Sequence, residues 1–393
     1  MTSLGQIAGL SGMTLFSLNL ILASRLKFLD GFFYGLNRVY TYHRAVGAIA
    51  FSLLLFHPLF LVFKYLGLSL RSAALFLLPF TGNPAVTYGI IALLSLIILI
   101  VITFYAKIKY NYWKISHKFM TLVFIFALLH VIFISSDISR DLILRAYIIV
   151  LGLVGLAVAS NRAWLYNIFH NDFIYKIINL NWFNKNVVEI ELEPINRTMP
   201  FQSGQFAFLR FKGASLSAES HPFSMSAAPS GRNLKFVIKS LGDYTDRLAS
   251  LRAGDSGLIH GPFGKFSFKN ISGRKQIWLA GGIGITPFLS MAGDLADDYK
   301  VDLYYCTKDR AEAVLIEELE KTAAANSNFR LIPWFSAERG RISGEKIAEL
   351  SQGLNDKEIL LCGPLVFMKS LREQLMKLGV AKDKIHWEKF DLI

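Results

Sequence analysis

Acidic residues are nearly missing from the first third of the sequence: ahead of Asp137 there is one, Asp30, against ten lysines and arginines. Cysteine is just as scarce. Cys306 and Cys362 are the only two and do not form a Cys-x-x-Cys pair, which excludes a disulfide framework and a thiolate zinc site. Internal repeats, low-complexity tracts and charged tails are also missing. The net charge of +13 over 393 residues could point to nucleic acid, but the placement of the basic residues argues against it and for a membrane.

What the chain has in quantity is hydrocarbon, with 53% of its residues apolar. Apolar runs near 3–23, 41–66, 85–106, 115–135 and 141–160 each approach the length needed to cross a hydrocarbon core of ~30 Å. No such run recurs after about residue 165. Eight of the ten early basic residues sit in alternate loops: Arg25, Lys27, Arg38 and Arg44, then Lys107, Lys109, Lys114 and Lys118. The positive-inside rule places both groups in the cytoplasm, with Lys64 and Arg71 around the intervening outer loop. The N-terminus is then extracytoplasmic and everything after residue 160 cytoplasmic. The first run lacks a basic leader and a small-residue cleavage site, so it reads as a retained span. The lipid bilayer is the expected partner; neither nucleic acid nor an obligatory protein partner is expected. Short loops and the lack of a eukaryotic targeting segment fit a bacterial plasma (inner) membrane.

Two of the apolar runs carry buried imidazoles. "TYHRAVGAIAFSLLLFHPLFLVFKYL" holds His43 and His57, fourteen residues apart, and "WKISHKFMTLVFIFALLHVIF" holds His117 and His130, thirteen apart. Ionisable groups within spans are costly and usually functional. The two helices read as antiparallel, with His43 and His117 at an inner level and His57 and His130 at an outer one, roughly 21 Å away at 1.5 Å per residue. Fourteen helical steps return to within about 40° of the starting face, whereas thirteen leave an offset of about 140°. Local rewinding or helix crossing must absorb that difference, and Pro58 should bend its helix. Each histidine alone could be an ordinary packed polar residue. Four paired by depth suit two haems, each with one axial imidazole from either helix. Zinc would need four ligands in one sphere, and a proton relay would normally recruit acids within the spans.

The second half changes rhythm. "NVVEIELEP", "QFAFLRF", "NLKFVIKS" and "SGLIHG" alternate with glycine and proline punctuation, predicting a small antiparallel barrel to about residue 270. Then "QIWLA", "VDLYYC", "FRLIPWF", "EILLC" and "KIHWEKF" alternate with helical stretches, predicting a doubly wound parallel sheet. "LAGGIGITPFLS" follows the first of these strands and opens a helix, so Gly281, Gly282 and Gly284 would let backbone amides approach a diphosphate. "LLCGP" ends a later strand, where such sheets bind ligands, although Cys362 taken alone could be a buried small residue. The fold class is thus a multidomain membrane protein: a transmembrane helical bundle (1–165), an antiparallel β-barrel (170–270) and an α/β doubly wound domain (274–393).

Taken in order, the histidine pairs, "HPFSMSAAP" at 221–229, "GGIGITP" and "CGP" resemble the ferric reductase and NADPH oxidase superfamily, in which a transmembrane b-haem domain is fused to a ferredoxin-NADP reductase-like module. The resemblance covers nearly the whole chain. It implies that His43, His57, His117 and His130 ligate two b-type haems. It implies an FAD site at His221, which stands in for the arginine of soluble reductases, with Pro222, Phe223, Ser224, Lys239 and Thr245, the last within "LGDYTDRL". It implies a nicotinamide-nucleotide site at Gly281, Gly282, Gly284, Thr286, Pro287, Gly363 and Pro364, with Cys362 as the catalytic residue beside the nicotinamide. Phe390 is the candidate for an aromatic stacked on the flavin, with Trp387 close by. Two features depart from the family: five spans are predicted where its oxidases have six, and the first span has no arginine to place near the outer haem.

The implied activity is electron transfer from NADPH through FAD and two haems to an acceptor outside. Lys308 and Arg310 after the second parallel strand suit a 2′-phosphate, with Asp309 between them. Oxygen giving superoxide and a ferric chelate would both use this wiring; no acidic or histidine cluster in the outer loops marks an iron site, which favours oxygen. A haem-bearing conduit serving a partner protein is the remaining alternative, and intact flavin and nucleotide motifs argue against it.

Overall fold

The computed structural model describes residues 2–78, 82–106, 108, 110–135, 140–161, 173–212 and 219–388. Lys107, Lys109 and Phe390, singled out above, lie outside the described residues. The chain divides into two compact units. One contains the residues up to Leu29 and those from Arg38 through the last apolar helix; the other contains Asp30–Asn37 and the residues from Phe173 onward.

The first unit is built on helices α1 (Thr2–Leu22), α2 (Leu36–Leu66), α3 (Pro84–Tyr105), α4 (Tyr110–Lys118), α5 (Met120–Phe133) and α6 (Leu142–Ser160). Among the described residues five stretches are long and apolar enough to cross a membrane, α4 and α5 jointly making the fourth. Asn83 and Asp141 cap α3 and α6, their side chains accepting from the first free backbone amides. Inward, Met13, Phe16, Leu96, Phe124, Leu128 and Ile148 pack together. Outward, Ile98, Phe104, Phe133, Ile143 and Val150 are exposed. A bundle whose outside is as apolar as its inside needs lipid around it.

The rewinding that the thirteen-residue spacing calls for occurs at Phe119, between α4 and α5. The Phe119 amide donates to Ser116 O at 3.0 Å and the Leu122 amide to Phe119 O at 2.9 Å. These are i→i−3 bonds, which tighten the turn and add rotation in the direction that closes the 140° gap. α2, by contrast, runs unbroken through Pro58. One expectation is corrected: the pairing of His43 with His117 and of His57 with His130 means that α2 and the α4–α5 span run in the same direction. A single span, α3, separates them in sequence, so the chain crosses back once and both ascend together.

The second unit contains two sheets. β1 (Phe173–Asn184), β2 (Val187–Pro194), β3 (Phe206–Lys212), β4 (His221–Ser224), β5 (Leu234–Lys239) and β6 (Ser256–Phe263) form an antiparallel sheet of order β4-β3-β6-β1-β2-β5. A bridge from Met225, just past β4, to Phe236 of β5 nearly closes it into a barrel. In β2, Val188, Ile190 and Leu192 are buried while the intervening glutamates face outward, the period-2 pattern of a strand with one wet face.

β7 (Lys275–Gly281), β8 (Lys300–Thr307), β9 (Phe329–Phe335), β10 (Glu358–Cys362) and β11 (Ile385–Glu388) form a parallel sheet of order β11-β10-β7-β8-β9. Its faces alternate between two cores: Trp278, Leu303, Tyr305 and Leu360 on one, Ile277, Leu279, Tyr304 and Leu361 on the other. Strand order reverses between β7 and β10, and the crevice beyond their carboxyl ends is where doubly wound sheets bind ligands.

Candidate functional site

In the helical unit the four histidines form two pairs. The rings of His43 and His117 have centroids 6.2 Å apart, and those of His57 and His130 are 6.3 Å apart. An iron between two imidazoles needs a metal–nitrogen bond of about 2 Å on each side and about 1 Å more to each ring centre, roughly 6 Å in all. Three of the rings also have their second nitrogen committed. His57 Nδ1 lies 2.7 Å from Gly5 O, His130 Nδ1 2.7 Å from Ala85 O, and His43 Nδ1 3.1 Å from Asn19 O. A carbonyl can only accept, so Nδ1 is the protonated nitrogen and Nε2 keeps its lone pair for a metal. His117 is held instead by stacking on Trp113, with centroids 5.2 Å apart; its buried Nδ1 has no hydrogen-bond partner among the described residues. The residues therefore fit two bis-imidazole haem sites.

On the barrel, the HPFS segment is β4, an end strand of the sheet order, with His221 opposite Leu209, Pro222 opposite Phe208 and Phe223 opposite Ala207. The His221 ring stacks on Tyr244 at 3.9 Å, and its Nε2 lies 3.1 Å from Glu219 Oε2. HPFS and LGDYTDRL, twenty residues apart, thus meet in space. Thr245 Oγ1 accepts from the Leu241 and Gly242 amides and donates to Gly242 O, fixing that turn. Lys239 ends β5 opposite Val187. Just past β4, Ser226 buries an Oγ with no partner among the described residues, a polar group that a bound ligand would satisfy. These features fit a flavin site. Burial pushes the Tyr244 phenol up to about 12.

Across the barrel–sheet junction, Ser290 Oγ donates to Ala227 O at 2.6 Å. At the switch point, Gly281 ends β7 and a tight turn, Gly282–Ile285, leads into helix α7 (Thr286–Ala292) with Pro287 in its first turn. A Cβ on Gly284 would lie 2.3 Å from Cys362 O and 2.7 Å from Gly363 Cα, and Pro364 Cδ would lie 3.1 Å from one on Gly281. Glycine is what allows GGIG and CGP to touch. Cys362 sits in register with Ala280 on one side and Glu388 on the other. Burial, then the nearby Glu388, holds the Cys362 thiol well above its usual range, and burial pushes the Glu388 carboxyl up to about 8. Glu388 Oε1 accepts from Asn37 Nδ2 at 2.5 Å. Burial thus favours the protonated form of both the thiol and the carboxyl at the carboxyl ends of β10 and β11.

Three family models match successive parts of the chain. A family model described as the ferric reductase like transmembrane component matches residues 8–128, an FAD-binding domain matches 173–266, and an oxidoreductase NAD-binding domain matches 278–373. The chain belongs to the ferric reductase and NADPH oxidase superfamily. A glycine betaine monooxygenase reductase subunit of Chromohalobacter salexigens is 28% identical over 242 residues, 56% of this chain and 64% of its own length. A flavohemoprotein of Vibrio cholerae is 28% identical over 185 residues, 44% of this chain and 46% of its own. The chain thus spans less than two thirds of both relatives. A flavohemoglobin from Malassezia yamatoensis shares the fold over 77% of this chain and 86% of its own, with TM-score 0.53 and 20% identity.

The chain thus joins a ferric reductase-like domain to FAD-binding and NAD-binding oxidoreductase domains, and among its described residues five stretches are long and apolar enough to cross a membrane. Of the nucleotide-site residues predicted from sequence, Arg310 is engaged elsewhere, its guanidinium contacting Glu320 at 3.1–3.3 Å. The Lys308 carbonyl accepts from the Ala337 amide. Two residues escaped the sequence reading. Tyr244 was visible inside LGDYTDRL but its stacking partner was not, and Glu388, at the end of the last strand, carried no signal beyond being an acid between aromatics.

Proposed function

We propose that the protein carries electrons across the membrane from cytosolic NADPH, through FAD and two b-type haems, to an extracytoplasmic one-electron acceptor, oxygen, releasing superoxide. Each NADPH gives up two electrons and one proton as NADP⁺ forms, and two oxygen molecules take one electron each. A bound flavin would supply the conversion between a two-electron nicotinamide donor and one-electron haem acceptors.

This chain's own residues supply position and protons. His43 with His117 would hold the inner haem and His57 with His130 the outer one, each through Nε2. Gly281, Gly282 and Gly284 leave room for the nucleotide's diphosphate, with Thr286 and Pro287 beginning the helix behind it. Cys362 and Glu388 are the groups able to hold or exchange a proton beside the nicotinamide, since burial favours the protonated form of each. Lys308 and Arg310 are the candidates for the 2′-phosphate. His221, Pro222, Phe223, Ser224, Lys239 and Thr245 would line the flavin.

The observation that carries this reading is the pair of imidazole couples, each at the separation an iron needs. A ferric chelate is the second reading for the acceptor, favoured by the description of the matched membrane family. The deciding experiment follows cytochrome c reduction by the purified protein and NADPH, with and without superoxide dismutase. Loss of the signal with dismutase supports oxygen. A dismutase-insensitive rate, with reduction of added ferric chelate, supports iron.

A further inference from the structure

The inner and outer imidazole pairs are held differently, and two glycines account for the difference. In an α-helix the side chain at position i+4 lies over the turn preceding it and covers the carbonyl of residue i. The carbonyls that receive the outer pair are Gly5 O and Ala85 O, each at 2.7 Å from an imidazole Nδ1. Four residues on from these stand Gly9 and Gly89. A Cβ on Gly9 would lie 2.6 Å from His57 Nδ1, and one on Gly89 2.8 Å from His130 Nδ1. Both are closer than real Cβ contacts come, so each ring occupies the space that any other residue would fill. At the inner level the residue four beyond Asn19 is Ala23. There the His43 contact is longer, at 3.1 Å, and His117 Nδ1 has no partner among the described residues.

We propose that Gly9 and Gly89 are positioning residues for the outer ligand pair: by uncovering the Gly5 and Ala85 carbonyls they let His57 and His130 both donate Nδ1–H, making the outer iron the more electron-rich of the two. A hydrogen bond from Nδ1–H raises the basicity of the ligating nitrogen and so favours the ferric state. The outer haem is therefore the lower in reduction potential. The inference rests on the haem reading above and adds an asymmetry to it.

The test is a redox titration with optical and EPR detection on the purified full chain, alongside haem content per chain. His57→Ala identifies the outer component as the one that disappears. In the wild-type protein that component must titrate below the inner one; titration above it overturns the proposal without any glycine variant. Gly9→Ala and Gly89→Ala are expected to raise the outer potential or to lose that one haem, with the inner component unmoved. Gly12→Ala and Gly152→Ala are the controls, since a Cβ there would press at 2.8 Å on Leu54 and Leu128 rather than on imidazole; they should keep wild-type spectra. Wild-type potentials in Gly9→Ala and Gly89→Ala, or equal shifts in the controls, overturn the positioning role while leaving two haems in place. A wild-type protein devoid of haem would instead remove the reading beneath it.

Discussion

The ring centroids of His57 and His130 lie 6.3 Å apart, and each ring donates an Nδ1–H hydrogen bond to a backbone carbonyl of a different neighbouring helix. Both Nε2 atoms are left as acceptors at one level of the bundle. The same holds for His43 at the other level, where His117 relies on Trp113 instead.

If each pair holds one haem, replacing either member with alanine removes a ligand from that haem. His57→Ala or His130→Ala is expected to halve the haem recovered by pyridine extraction, and His43→Ala or His117→Ala to remove the other half. Retention of two haems per chain in any of these variants contradicts the assignment of that residue.

Gly284→Ala tests the nucleotide crevice. The added Cβ meets backbone atoms of Cys362 and Gly363 at 2.3–2.7 Å, and backbone cannot swing aside as a side chain can. With overpacking costing typically 1–3 kcal/mol, KM for NADPH should rise about tenfold or more while haem content stays unchanged. An unaltered KM would place the nucleotide elsewhere.

Arg310 and Glu320 set a balance that nucleotide preference should report. Their ion pair is exposed and so worth no more than about 1 kcal/mol. If Arg310 meets the 2′-phosphate, Arg310→Ala lowers the ratio of kcat/KM for NADPH over NADH by about fivefold or more, and Glu320→Gln raises it by up to about fivefold, since 1.4 kcal/mol is a factor of ten. Ratios that move together, or not at all, exclude Arg310 from phosphate recognition.

Glu388 gives the reductase unit a pH dependence of definite sign. Its folded value, about 8, stands above the ordinary 4.5 because burial disfavours the carboxylate. The folded state therefore keeps a proton that the unfolded chain has released. That contribution is complete below the unfolded value and is lost as pH rises through the folded one, with a slope of at most about 1.4 kcal/mol per pH unit. Glu388→Gln has no proton to lose, so its Tm should fall less than that of the wild type between about pH 6 and about pH 9. Parallel declines would show that Glu388 is ionised throughout.

Much of this architecture is legible in the sequence, because the signals are local. Val188, Ile190 and Leu192 alternate with glutamates, GGIGITP follows directly on a buried strand, and His43 and His57 repeat near the helical period. The illegible parts depend on contacts between distant residues or on backbone that no residue type announces. The tightened turn at Phe119, which brings His130 onto the face of His117, has no proline or glycine to mark it. The shared direction of α2 and the α4–α5 span follows from counting crossings, and the antiparallel reading missed it. Glu388 gains its neutral character from burial, against the opposing hydrogen bond of Asn37, 351 residues away, and Arg310 is claimed by a glutamate on the following helix. Gly9 and Gly89 look like ordinary span glycines until the imidazoles that fill their empty faces are seen.

The central claim is that imidazole pairs from two spans hold two haems supplied by the chain's own flavin and nucleotide domains. Its most direct test is the visible spectrum of the purified protein, recorded without oxygen, before and after NADPH. A Soret band that shifts fully to the reduced b-type form with no other reductase present is the predicted result. A colourless protein, or haem that stays ferric until dithionite is added, would contradict it.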